Sequence, residues 1–196
     1  MRVDKTNIPR SRFLTVDKDM KLILDKFLSN ERLKRLLHYD SKDALTRPNL
    51  TEKQTLDLLS DHIKIVPKLK IDGSVKTYVI LTFDNFFRTK TNPQFRDNII
   101  EVDIVCHFDQ WQLDDMKLRP YAIAGEIDSM LDQNRFTGIG ILNFLGMNQF
   151  VLTDEFAGLC LMYSATHGEE DKKGFENPME EERFIEDFEQ MIENQK

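Results

Sequence analysis

No run of this chain approaches the ~18–20 consecutive apolar residues that a membrane-crossing helix needs, so no membrane partner is expected. Basic residues open the sequence, "MRVDKTNIPRSRF", but no apolar segment follows them, and no secretory signal is expected. Cysteine is scarce. Cys106 and Cys160 neither make a disulfide framework nor match a zinc spacing, which fits a reducing, intracellular setting. No internal repeat is visible. The glycines of "TGIGILNFLG" lack the following Lys-Ser/Thr of a phosphate cradle and read as a turn between apolar strand residues.

Excess charge of one sign is also missing from most of the chain. The net charge is -7, and residues 169–196 hold eleven acids against four bases, which leaves 23 of each to residues 1–168. A neutral body with an acidic tail argues against a duplex-binding groove, which needs a basic stripe. No cofactor-binding motif is found.

What is present is one ordinary domain. The 196 residues are 40% hydrophobic, enough for a single core. Between 17 and 38, Met20, Ile23, Leu24, Phe27, Leu28, Leu33, Leu36 and Leu37 follow helical spacing, with a break expected at Ser29 and Asn30. "TEKQTLDLLSDHI" opens with Thr51 and Gln54 in a capping-box arrangement, which predicts a helix over 52–61. The period then changes to two. Ile63, Ile65, Leu69 and Ile71 alternate, Asp72-Gly73-Ser74 reads as a hairpin turn, and 78–81 resumes the sheet. Pro67 places its strand at an edge or a bulge. A loop over 88–98 leads to a strand over 98–108. Pro120 suits the first turn of a helix that buries Ile123, Ile127, Met130 and Leu131. Two strands near 148–153 and 157–165 close the body.

The fold class expected is therefore α+β, a mixed or antiparallel sheet of about 4–6 strands packed by helices. Residues 1–168 form the domain, with N-terminal helices over 17–61 and the sheet and crossing helix over 62–166. Residues 169–196 form an acidic, amphipathic helical appendage. Phe184, Ile185, Phe188, Met191 and Ile192 give it an apolar stripe suited to docking a partner.

"VDIVCHFDQW" sets Cys106, His107 and Asp109 within four positions. On a strand, Cys106 shares the apolar face of Ile100, Val102, Ile104 and Phe108, while His107 points the other way, so no nucleophile–base dyad is written there. Asp103, His107 and Asp109 read as a solvated surface and not as a metal site. His38, His62 and His167 sit near element ends, where exposure or capping is expected. No catalytic, cofactor or metal residue is assigned. "FDNFFRTKTNPQF", residues 83–95, holds Phe83, Phe86, Phe87 and Phe95. A loop that rich in aromatics suits a subunit contact, together with the Pro67 strand.

In "NIIEVDIVCHFDQWQLDDMKLRPYAIAGEIDSMLDQ" an alternating strand ends in an aromatic, a polar loop follows, and a helix carries Tyr121, Ile123, Ile127 and Leu131. "NQFVLTDEFAGLCLMYSAT" makes a closing hairpin, with Leu159, Leu161 and Tyr163 alternating. Over residues 60–165 this order resembles the tail terminator (tail completion) proteins of long-tailed bacteriophages. The resemblance implies a non-enzymatic virion protein of the head–tail junction, or neck, assembled in the host cytoplasm. It implies a homo-oligomeric, hexameric ring that caps the tail tube protein and docks to the head connector or stopper proteins, with DNA only as passing cargo in the lumen. A stopper or another connector component, or an intracellular interaction module outside any virion, would fit similar elements.

Overall fold

The helical spacing between 17 and 38 folds as two helices, α1 (Val16–Ser29) and α2 (Glu31–His38). The break falls at Asn30, whose side-chain oxygen accepts from the backbone N–H groups of Arg32 and Leu33. That is an N-cap, and it starts α2 where α1 has just ended. The computed structural model describes residues 16–65, 74–88 and 96–167. In α3 (Glu52–Asp61) the capping box of Thr51 and Gln54 is formed in full. The crossing helix α4 (Arg119–Leu131) carries Pro120 in its first turn, where a missing N–H costs nothing.

The strands are β1 (Ile63–Lys64), β2 (Thr77–Arg88), β3 (Arg96–His107), β4 (Arg135–Phe136), β5 (Gly140–Ile141), β6 (Asn143–Val151) and β7 (Phe156–His167). Five of them form one sheet in the order β1-β2-β3-β7-β6, while β4 and β5 make a separate ribbon. β1 runs parallel to β2, and the other pairings of the large sheet are antiparallel, so the sheet is mixed and the fold is α+β. Alternation sorts its side chains. Val79, Leu81, Ile100, Val102, Ile104, Cys106, Leu159, Leu161 and Tyr163 share the face that packs on Ile23, Phe27 and Leu33, on Leu58, and on Ile123 and Ile127. The opposite face carries only a small cluster, Tyr78, Ile80, Val105 and Phe156 with Phe150.

Two expectations are corrected. Ile63 and Lys64 pair in parallel with Val79 and Ile80, not antiparallel as an arm of a hairpin would, while Leu69, Ile71 and the Asp72-Gly73 turn lie outside the described residues. α3 delivers the chain to β1 already running in β2's direction, and a parallel pair needs a long crossover, not a tight turn. Nor is the aromatic stretch a free arm. β2 continues to Arg88, so Phe83, Phe86 and Phe87 lie in a strand, kinked by a bulge between Asp84 and Phe87 where Asn85 takes a φ of 53°. Pro67, Phe95 and the whole of 169–196, with Phe184, Ile185, Phe188, Met191 and Ile192, lie outside the described residues. Among the described residues, no helix is long and apolar enough to cross a membrane.

One glycine is dictated by the sheet. Gly158 sits in β7 between Val105 of β3 and Phe150 of β6. A Cβ there would lie 2.0 Å from the carbonyl oxygen of Ile104 and 2.9 Å from the Phe150 ring. Gly158→Ala therefore forces β3 and β7 apart. Overpacking of this kind costs ~1–3 kcal/mol, and urea unfolding should show a loss at the upper end of that range. An unchanged midpoint would mean that the strands separate freely there.

Candidate functional site

Cys106 is fully buried in the helix-facing side of β3, between Thr77 of β2 and Ala157 of β7. Burial pushes its thiol up to about 12, so it stays protonated near neutrality and is a poor nucleophile. His107 faces the other side of the sheet, its ring edge-on to Phe156 with centroids 5.0 Å apart. Its Nδ1 accepts from the backbone N–H of Asp109 and so caps the turn Phe108–Gln110. Cys106 packs in the core on one face of β3, whereas His107 and Asp109 meet each other at the turn, with Oδ2 of Asp109 3.6 Å from Nδ1 of His107. Among the described residues, no group of three or more His, Cys, Asp and Glu side chains is placed to hold a metal ion.

Beneath Cys106 lies a buried polar network that the sequence does not announce. Thr77 donates to the side-chain oxygen of Gln110 at 2.7 Å, and the Gln110 amide donates to Asp40 at 2.6 Å and to the carbonyl of Val75 at 2.8 Å. The guanidinium of Arg119 donates to four backbone carbonyls, those of Leu36, Tyr39, Ser41 and Gln110. Arg119 thus fastens the first turn of α4 to the last turn of α2. No local periodicity signals this, because the partners lie up to 83 residues apart.

Of the three histidines expected to be exposed or capping, His38 is half-buried at the end of α2, His62 occupies the C-cap of α3, and the side chains of His62 and His167 are buried. His62 is buried, with Nδ1 at 2.8 Å from the carbonyl of Thr77. Burial holds its pKa below the ordinary 6.5, the largest influence ahead of the opposing bond to Thr77. An unfolded chain takes up that proton near 6.5 while the fold resists it, so the stabilisation is complete above 6.5 and shrinks as pH falls toward the folded value. Melting temperature should drop between about pH 7 and pH 5.5, and His62→Gln should flatten that slope. Equal slopes in the two chains would assign the loss to another group.

His167 is buried as well, with Nδ1 at 2.5 Å from Oδ2 of Asp19 in α1. The rings of Phe83 and Phe86 pack on it, with centroids at 5.5 and 5.4 Å. Those two phenylalanines are therefore spent on the fold. Among the described members of the set, Phe87, 61% exposed, remains at the surface.

Among the described residues, two surfaces stand out. On the face of the sheet away from the helices, the register lines up Asp84, Asp97, Glu101 and Asp103; the one described basic side chain the register adds to it is Lys64 at the β1 margin, whose ammonium donates to the carbonyl of Ser60. Burial, then their neighbouring carboxylates, raises the pKa of Glu101; burial raises that of Asp103. Phosphate is repelled from such a face. The second surface is β6, the outer strand. Its sequence "NFLGMNQFV" has no charge and no proline, and seven of its nine residues are exposed. Phe144, Leu145, Met147 and Val151, the last 75% exposed, form with Ile141 and Leu152 an apolar margin. Alternation in residues 157–165 is plain in the sequence, but β6 shows no hydrophobic-polar alternation, which hides both its length and its exposure.

A family model described as YomW matches residues 30–165, from the cap of α2 to near the end of β7. No curated protein matches the chain.

Proposed function

We propose that this chain, which belongs to the YomW family, works by assembling with other protein chains, as the tail terminator at the head–tail junction of a long-tailed bacteriophage. It acts as a ring that caps the tail tube and docks to the head connector. The observation that carries this reading is β6: a long, uncharged, apolar outer strand lying at the surface. A monomer with such an edge is prone to aggregate, and proteins that stay alone blunt theirs with lysine, proline or short strands. An assembly protein has a use for it. The acidic open face of the sheet supports DNA as passing cargo and not as a bound ligand. A stopper or other connector component has the same needs and differs only in which neighbour it meets.

The experiment is to mix the purified protein with purified tail tubes and image the ends by negative stain. Alone, the protein should scatter light as a monomer or small oligomer. With tubes it should add a ring at one end, with no binding along the shaft. Bare tube ends at saturating protein would overturn the terminator reading.

A further inference from the structure

We infer that the free protein pairs through β6 with β6 of a second copy, antiparallel about a two-fold axis at Gln149. The backbone states what the occupant must be. Leu152 donates to the carbonyl of Phe156 across the turn, which makes that a hydrogen-bonded pair, and an antiparallel ladder alternates. The N–H and C=O groups of Met147, Gln149 and Val151 therefore face away from β7. Among the described residues nothing bonds to them. Toward the start of the strand the edge is closed, because Oδ1 of Asp132 accepts the N–H of Phe144. An open row of alternating donors and acceptors takes another strand.

A second copy fits that row best. A two-fold axis at Gln149 sets Met147 opposite the partner's Val151, and Val151 opposite the partner's Met147, joining about six backbone hydrogen bonds and two apolar pairs. The strand is uncharged, so no like charges face each other along the joint. The other margin of the sheet is a poorer mate. β1 covers Val79 and Ile80 of β2, and the bulge between Asp84 and Phe87 breaks the rest. The pairing rests on the head–tail reading only for its consequence. A dimer hides the adhesive edge until a tube end competes for it, which holds back ring formation in free solution.

Sedimentation over a range of concentrations, with backbone amide exchange, tests the joint. The expected result is a reversible dimer in which the amides of Met147, Gln149 and Val151 gain protection as concentration rises. Met147→Lys and, separately, Val151→Lys should leave the circular dichroism unchanged and weaken pairing about 100-fold. Leu56→Lys, on the exposed side of α3, should change nothing. A chain that is monomeric at every concentration overturns the joint, as does a dimer that persists in both lysine variants. Tube binding separates the two proposals. A monomer that still caps tubes sinks the joint alone, whereas a β6 dimer that never meets tubes sinks the head–tail reading.

Discussion

Arg119→Met is expected to destabilise the protein by about 4 kcal/mol, close to the whole stability of many small domains. The guanidinium is among the largest fully buried side chains, and its four bonds run to carbonyls at 2.5, 2.8, 2.8 and 2.9 Å. The carbonyls of Leu36 and Tyr39 belong to the C-terminal end of α2, where a helix leaves its last acceptors unsatisfied and its dipole is negative. A cation there is stabilised twice, by hydrogen bonds and by the dipole. Removing it strands acceptors that cost ~1–3 kcal/mol each where burial is complete. Methionine restores the volume and none of the bonds. Arg119→Lys keeps the charge but, as a point donor on a flexible stem, satisfies fewer of the four carbonyls, so about half the loss should return. Urea unfolding of the three chains checks the order. A methionine variant within about 1 kcal/mol of the parent would show that the carbonyls find other partners. The consequence reaches the surface, because α4 also carries Tyr121, whose hydroxyl meets the side-chain amide of Gln149 on β6. A loosened α4 therefore frees the strand proposed to join copies.

How much of this was legible in the sequence follows from the range of the interactions. Local signals were readable: Asn30 between α1 and α2, the Thr51–Gln54 box, Pro120 at the head of α4 and the alternation of β3 each act within a few residues. The α+β class follows from their order. Pairing between distant segments was not readable. Asp-Gly is a good hairpin signal, yet Ile63 and Lys64, some residues upstream of it, pair in parallel with β2, a direction that no local pattern announces. The aromatic-rich stretch reads as a loop, but its described part, 83–88, continues β2. Phe83 and Phe86 are drawn onto His167, a residue 84 positions beyond Phe83, so the fold absorbs them. β6 was underread for the opposite reason. A strand exposed on both faces needs no alternation, and the period-two pattern that reveals a half-buried strand is absent from it.

The buried pair of Asp19 and His167 should matter nearly as much as Arg119. It joins the first turn of α1 to the last residue of β7, with both side chains almost wholly shielded from water. Among the described residues Oδ1 of Asp19 and Nε2 of His167 have no hydrogen-bond partner, so each group depends on the other. Burial raises the carboxyl pKa of Asp19, and the bond to His167 offsets only part of that. A raised carboxyl favours the protonated fold, so this contribution is fully present below the unfolded value of 3.8 and is lost as pH rises through the folded one. Removing one partner strands the other, and breaking a buried pair in this way costs about 3–5 kcal/mol. Asp19→Ala and His167→Ala should each fall in that range. The double variant should be no worse than either single one, because the interaction can be lost only once. Asp19→Asn keeps an acceptor for Nδ1 and should cost less than Asp19→Ala, with the stability change above pH 4 reduced. Denaturant unfolding of the four chains decides it. Two mild single variants whose effects simply add would show that α1 is held by its apolar stripe of Ile23, Leu24 and Phe27 alone, and that the pair is incidental.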